Sequence, residues 1–342
     1  MIVKGFWGEM EKPVIGLAPM DGVTDAPFRY MVAKYGKPSL QMTEFTNVEG
    51  LARGAVKMLQ AFIYDEIERP IVAQIYGTEP DSYYKAAVML ARMGFDGIDI
   101  NMGCPATKVA KSGSGAGLIR TPELAKELVR MTKKGVKDWA EGISLEEAGV
   151  HPAIIAAVEE MYPTESARAE IPVSVKTRIG YDTIVAEDWM KHLLEVEPAN
   201  ITLHGRTLRQ MYLGEANWEV IGKACRVVRE SGLDVGFLGN GDVSSLEIAL
   251  DRVRDFGVDG VLVGRAAFGN PWLFSGRVPS HEECMAAAVE HSRLFEKMLP
   301  RVPFVMMRKH LGWYCKGFDG AKEMRVKLMN VESAGEVEEI LG

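Results

Sequence analysis

The stretch IVAQIYGTEPDSYYKAAVMLARMGFDGIDINMGCP, from Ile71 to Pro105, contains one complete structural period. Ile71–Tyr76 is short and almost continuously apolar, the pattern of a strand buried on both faces. Pro80 opens a helical pattern over Asp81–Met93, and Gly94 supplies its stop. A second apolar run, Gly97–Gly103, then ends on polar residues. A helix of this length between two strands is a crossover, so the strands must run parallel.

The same period recurs outward in both directions. Runs at Val14–Met20, Leu40–Phe45, Val173–Ile179, Asn200–Gly205, Val235–Gly241 and Gly260–Arg265 bring the strands to eight. Helix signals lie between them. Thr121-Pro122 leads Glu123–Lys134, and Ser244 and Ser245 precede Leu246–Phe256, which stops at Gly257. Eight alternations predict an α/β fold, a closed (β/α)8 TIM barrel, over residues 1–279. The alternative is an open doubly wound sheet, which carries a glycine-rich turn after its first strand. Here that turn reads Ala18-Pro19-Met20-Asp21-Gly22. Gly113-Ser114-Gly115-Ala116-Gly117 has Leu118 at the last glycine position and no strand directly before it, so it reads as a flexible loop entering a helix.

Two segments fall outside the alternation. Residues 139–170 are polar and alanine-rich, and read as a helical insertion whose most regular part is Ile154–Met161. From Ser280-His281-Glu282-Glu283, a capping-box sequence, no strand pattern follows. Residues 280–342 are therefore expected to form a small all-helical C-terminal domain ending in an acidic stretch.

Composition narrows the function classes. No apolar run approaches the roughly 20 residues of a membrane-spanning helix, and the start has no signal-peptide layout, so a cytoplasmic protein without a membrane partner is expected. The four cysteines, Cys104, Cys225, Cys284 and Cys315, form no C-x-x-C pair; a zinc knuckle, a redox dithiol and a disulfide framework are all disfavoured, and no metal site is expected. The net charge of −7 argues against a nucleic-acid partner unless basic groups gather locally. They do. Lys108, Lys111, Arg206 and Arg209 fall on loops at one barrel face, and Arg308, Lys309, Lys316, Lys322, Arg325 and Lys327 cluster in the C-terminal segment.

In a TIM barrel the site lies at the C-terminal strand ends. Those ends carry Met20, Glu44, Gln74, Asn101, Lys176, His204, Asn240 and Gly264-Arg265. The last two strands end in Gly239-Asn240-Gly241-Asp242 and Gly264-Arg265, where glycines let backbone N–H groups converge on an anion. This is a phosphate signal, shared by many barrels. Lys176, mid-barrel, needs a compensating anion: a reduced flavin ring, a substrate carboxylate or a Schiff-base carbonyl would each serve. Cys104, on a strand-end loop before Pro105, holds a thiol that can stay neutral near pH 7 and donate a proton; the plainer reading is a buried structural cysteine.

Taken together, Ala18-Pro19-Met20 with Thr24-Asp25, Gln74, Asn101-Met102-Gly103-Cys104-Pro105, Lys176-Thr177-Arg178, His204-Gly205-Arg206-Thr207, Gly239-Asn240-Gly241-Asp242 and Gly264-Arg265 resemble the tRNA-dihydrouridine synthase family. Arg308-Lys309-His310 with Trp313-Tyr314 resembles the C-terminal domain of its bacterial DusB-like branch. The resemblance runs from about Val14 to Lys316, with no counterpart for 139–170. It implies that Ala18, Pro19, Met20, Gln74, Lys176, His204, Asn240, Gly241, Asp242, Gly264 and Arg265 hold FMN. It implies that Asn101, Arg178 and Tyr212 meet the uracil. Cys104 would protonate C5 while hydride passes from flavin N5 to C6, and NADPH (or NADH) would reduce the flavin. The substrate would be tRNA, gripped by the helical domain, and the chain would act as a monomer. A flavin barrel acting on a free pyrimidine, of the dihydroorotate dehydrogenase kind, is the competing reading; it has no need of a basic helical domain.

Overall fold

In the computed structural model, which describes residues 2–342, the apolar runs are strands and every pairing is parallel. They are β1 (Val14–Leu17), β2 (Gln41–Met42), β3 (Thr46–Asn47), β4 (Ile71–Tyr76), β5 (Gly97–Met102), β6 (Val173–Arg178), β7 (Asn200–His204), β8 (Gly236–Asn240) and β9 (Gly260–Val263). β1 pairs with β9, and β2 bridges β1 to β4, so the sheet closes into the expected barrel.

The second strand differs from the sequence reading, which takes Leu40–Phe45 as one run. β2 sets Gln41 and Met42 opposite Ile71 and Val72, whereas β3 sets Thr46 and Asn47 opposite Ile75 and Tyr76. Thr43, Glu44 and Phe45 therefore face only Ala73 and Gln74, which is a bulge of one residue. The Thr43 hydroxyl replaces a backbone acceptor, receiving the Gln74 N–H at 3.0 Å. No glycine or proline marks the bulge, so the hydrophobic pattern is silent about it.

Alternation along the strands separates two layers. Ile98, Ile100, Val175, Ile201 and Phe237 join the large outer core between barrel and helices. Val14, Leu40, Met42, Val72, Leu238 and Leu262 fill part of the barrel interior. The remainder is polar: the buried side chains of Gln74, Asp99 and Ser174 bond to one another there.

The insertion contains one helix, Pro152–Met161, capped by the His151 ring, which accepts the Ala153 N–H at 3.1 Å. It is fastened to the outside of the barrel. Tyr162 donates to the Phe62 carbonyl at 2.7 Å, and the Arg168 guanidinium lies 3.6 Å above the Trp139 ring. The C-terminal segment forms helices His281–Met298, Arg308–Tyr314, Ala321–Leu328 and Ala334–Leu341, with the capping box at Ser280 and Glu283 in place. Its core includes Met31 and Trp272 of the barrel, so it packs on the first helix, Ala26–Tyr35, and on the loop after β9. Gly269 lets that loop meet the helical domain: its φ is +62°, and a Cβ there would lie 2.1 Å from the Trp313 carbonyl oxygen. None of the described helices is long and apolar enough to cross a membrane.

Candidate active site

The loops at the C-terminal strand ends enclose a pocket of about 1620 Å³. Its wall includes Ala18, Pro19, Met20, Asn101, Cys104, Lys176, Arg178, His204, Tyr212, Asn240, Gly241, Asp242, Gly264 and Arg265. Lys309, Trp313, Lys316 and Arg325 of the helical domain close one side, which the strand pattern could not foretell. Gln74 is the exception among the expected residues. It is fully buried behind the wall, with its amide nitrogen on Asp99 (2.7 Å) and its amide oxygen receiving Asn101 Nδ2 (2.9 Å).

The loop after β1 is built from beneath. The buried Arg29 donates to the Thr24 carbonyl and to the Glu68 carboxylate, and the Thr24 hydroxyl accepts the Met20 N–H at 3.0 Å. Glu44, read from sequence as a strand-end group at the mouth, is not on the pocket wall; burial pushes its carboxyl above the usual range.

Cys104 is 8 % exposed, and its loop is held on two sides. Asn101 Oδ1 accepts the N–H groups of Gly103 (3.0 Å) and Cys104 (2.8 Å). On the other side Arg178 donates through Nε to the Gly103 carbonyl (2.7 Å) and through Nη1 to the Thr207 and Met211 carbonyls. One guanidinium thus ties the Cys104 loop to the loop after β7 through Nε and Nη1, and Nη2 makes no hydrogen bond among the described residues. Burial pushes the Cys104 thiol up, so it keeps its proton at neutral pH. The 113–117 stretch is a packed floor, correcting its reading as a flexible loop. Gly115–Arg120 is a 3-10 turn, Gly115 has φ +56°, and a Cβ there would meet the Cys104 carbonyl at 3.1 Å.

The opposite wall is cationic. Lys176 Nζ donates to Asn240 Oδ1 at 3.1 Å, and Asn240 Nδ2 donates to the Leu262 carbonyl at 2.8 Å. Burial, then Arg178, brings the Lys176 ammonium down to about 8. His204 is held well below its ordinary value by burial and by Arg178 and Lys176, so its ring is neutral. The Asp242 carboxylate is occupied by protein donors: both its oxygens accept Arg206 Nη2, one accepts Arg265 Nη2 (3.1 Å), and the Ala216 N–H adds a fourth bond. It sets two guanidiniums beside Gly241, whose φ of +125° suits only glycine. Arg206, buried at 3 % side-chain exposure, is a member of this group that sequence reasoning left on the rim.

An elongated anionic ligand with an electron-rich ring at one end and a phosphate at the other fits this donor set. Lys176 would meet the ring end, and the N–H groups around Gly241-Asp242 and Gly264-Arg265 would meet the phosphate end.

The family model described as dihydrouridine synthase (Dus) matches residues 16–140 and 150–341. The chain belongs to the dihydrouridine synthase family. Among its relatives is a Staphylococcus aureus (strain COL) protein named "Probable tRNA-dihydrouridine synthase", 34% identical over 99% of this chain and 95% of that one. Another is "Probable tRNA-dihydrouridine synthase 2" of Bacillus subtilis (strain 168), 33% identical over 99% of this chain and 96% of that one. A solved structure of DHODH in complex with ferulenol from Eimeria tenella is similar with a TM-score of 0.49 at 14% identity, over 77% of this chain and 78% of that one. The dihydrouridine synthase match reaches residue 341 and leaves out only 141–149 in mid-chain, so the segment without a family counterpart is much shorter than 139–170.

Proposed function

We propose that this chain is a flavin-dependent oxidoreductase that reduces uridines of tRNA to 5,6-dihydrouridine, with FMN in the pocket, NADPH as reductant and Cys104 as proton donor. Family membership and the fit of the pocket's donor set support the flavin. Bound there, FMN supplies the hydride chemistry that no side chain provides.

The protein's own groups do the rest. Lys176, His204, Asn240, Gly241, Gly264 and Arg265, with the Ala18–Met20 backbone, bind and orient the cofactor. Asp242 acts through the arginines it holds. Saturating the uracil 5,6 double bond builds negative charge at C5 and on the C4 carbonyl as it proceeds. Hydrogen bonds to the carbonyls and a proton at C5 stabilise that charge. Arg178, on the pocket wall with Nη2 outside its own hydrogen bonds, would meet a carbonyl, and the Cys104 Sγ holds the proton, which its raised affinity keeps there until C5 requires it. Tyr212, 61 % exposed at the mouth, meets the base as it is extruded from the RNA. The helical domain's share of the pocket wall favours a polynucleotide over a free pyrimidine.

The observation that carries the reading is the protonated Cys104 thiol lining the same pocket as Lys176 and Arg178. The purified protein is expected to show oxidised-flavin absorbance. Under anaerobic conditions Cys104→Ala bleaches with NADPH at the wild-type rate, because that step needs no acid at C5. Its reoxidation by unmodified tRNA slows about 10²–10⁴-fold, the usual loss with a positioned acid. Reoxidation at the wild-type rate removes Cys104 from the chemistry, and a colourless protein that takes up no FMN removes the flavin.

A further inference from the structure

Asp99 lies two residues before Asn101 on β5 and is fully buried inside the barrel, out of reach of the pocket. A buried carboxylate is costly unless every lone pair has a donor. Asp99 has two: Ser174 Oγ donates to Oδ1 at 2.7 Å and Gln74 Nε2 donates to Oδ2 at 2.7 Å. Burial pushes its carboxyl up to about 6, so at neutral pH it is ionised and can only accept.

The polarity of the chain agrees at both ends, for Asp99 accepts from Ser174 and Gln74 and the Gly103 and Cys104 N–H groups can only donate. Gln74 must turn its NH₂ to Asp99, so its carbonyl oxygen faces Asn101. Asn101 must answer with its NH₂, at 2.9 Å, so its own oxygen faces the other way. There it receives the Gly103 and Cys104 N–H groups, both of which are donors and would repel an NH₂ in that place. An amide can be rotated by half a turn at little steric cost, so neither Gln74 nor Asn101 has an intrinsic preference for one orientation. The register confirms that the groups are neighbours by construction: Gln74 stands opposite Asp99, and Asp99 opposite Ser174.

We propose that Asp99 is a positioning residue which, through the enforced orientation of Gln74 and then Asn101, holds the backbone of Gly103 and Cys104 in place. It touches no reacting atom. Its functional meaning rests on Cys104 as the reacting thiol; its test does not, because the test reads the position of the loop.

The chain of amides predicts a swap. Asp99→Leu removes the acceptor, whereas Asp99→Asn keeps one by turning its NH₂ to the Ser174 hydroxyl, which accepts as well as donates; Asn101→Asp alone turns two acceptors, Gln74 Oε1 and a carboxylate, against each other. In the double variant every bond returns with Gln74 reversed. The amide at position 99 donates to Gln74 and still accepts from Ser174, Gln74 donates to the carboxylate at position 101, and that carboxylate accepts both N–H groups.

The experiment measures iodoacetamide alkylation of Cys104 by peptide mass mapping in the FMN-loaded protein. Plateau rates at high pH separate access from thiol acidity. Asp99→Leu and Asn101→Asp are each expected to alkylate Cys104 about tenfold faster or more, the scale of one lost buried hydrogen bond. The double variant returns toward the wild-type rate, and Cys284, partly exposed in the helical domain, reacts equally in all four proteins. An unchanged Cys104 rate in Asp99→Leu overturns the proposal. So does a double variant no better protected than Asn101→Asp. If a single variant fails to fold, melting temperature replaces rate: the double must be more stable than either single, and a double that is not overturns it.

Discussion

At the residue scale, the group with most leverage is Lys176. Desolvation, then Arg178, lowers its pKa to about 8, while Asp99 and Cys104 pull the other way. An electron-rich ring bound beside it favours the charged form, so the bound-state pKa lies above the free-state value. The linkage is then one-signed. Cofactor affinity attributable to Lys176 is fully present below about pH 8 and is lost as pH rises through the bound pKa, by up to about tenfold per unit. Titrating reduced FMN anaerobically into apoprotein between pH 7 and 10 should show this fall, and Lys176→Met should bind more weakly and without it. A wild-type affinity flat over that range would show that Lys176 does not meet the ring. Lys176, Asn240 and Cys104 are all legible in the sequence, because a βα unit announces where its strand ends and the site sits at strand ends. Asp99 is equally polar and equally chemical, yet sits two residues deeper, where a sequence reading expects packing. Its only signal is the alternation Ile98-Asp99-Ile100-Asn101, which puts it on the Asn101 side of the strand.

At the element scale, the helix Ala26–Tyr35 and the helices of the C-terminal domain meet over an unusual set of titratable groups. His291 and His310 are fully buried, and His291 Nε2 and both ring nitrogens of His310 have no hydrogen-bond partner among the described residues. Burial holds His291 at about 3, and burial, His291 and Lys309 hold His310 well below its ordinary value. Asp25, 3.7 Å from His310 Nε2, is pushed up to about 7 by burial and by Glu44. The signs oppose. The His291 contribution is complete above about pH 6.5 and is lost as pH falls toward 3, and His310 acts in the same sense; the Asp25 contribution is complete below about pH 4 and is lost as pH rises through 7. His291→Gln isolates one histidine while leaving an acceptor for the Tyr314 hydroxyl. Between pH 6.5 and 4.5 the variant is expected to lose less stability than wild type, by at most roughly 1.4 kcal/mol per pH unit. Urea unfolding at the two pH values reads the difference; equal losses would mean that His291 takes no proton on unfolding.

At the scale of the whole molecule, the net charge of −7 and the proposed polynucleotide substrate are compatible because the pocket collects cations from the barrel and the C-terminal helices: Arg265, Lys309, Lys316 and Arg325. The basic C-terminal cluster is not uniform, however. Arg308 donates to the Val331 and Asn330 carbonyls and braces the domain, so it is a poor choice for probing RNA contact. Lys316 and Arg325 line the pocket, and glutamine at either position keeps a donor for the carbonyls they hold, Phe268 and Cys315. Lys316→Gln with Arg325→Gln is expected to weaken tRNA binding and to reduce the slope of log K against log salt by about 1–2. NADPH-driven flavin reduction should be unaffected. An unchanged slope would place the RNA elsewhere.

The barrel was determined by the sequence alone, since apolar runs and helical periods separated by glycine and proline leave few other ways to bury both faces of eight parallel strands. The C-terminal helices and the polar strand ends that line the pocket followed from the same local signals. What the tertiary structure decided is which polar groups face one another. The β2 bulge, the burial of Gln74 behind Asn101, the capture of Asp242 by two arginines and the helical domain's share of the pocket depend on contacts between residues dozens to hundreds of positions apart. The physical reason is the range of the forces concerned. Hydrophobic period acts within one element and is written in consecutive residues. A hydrogen bond depends on direction at about 3 Å, and its partners become neighbours only when the barrel closes.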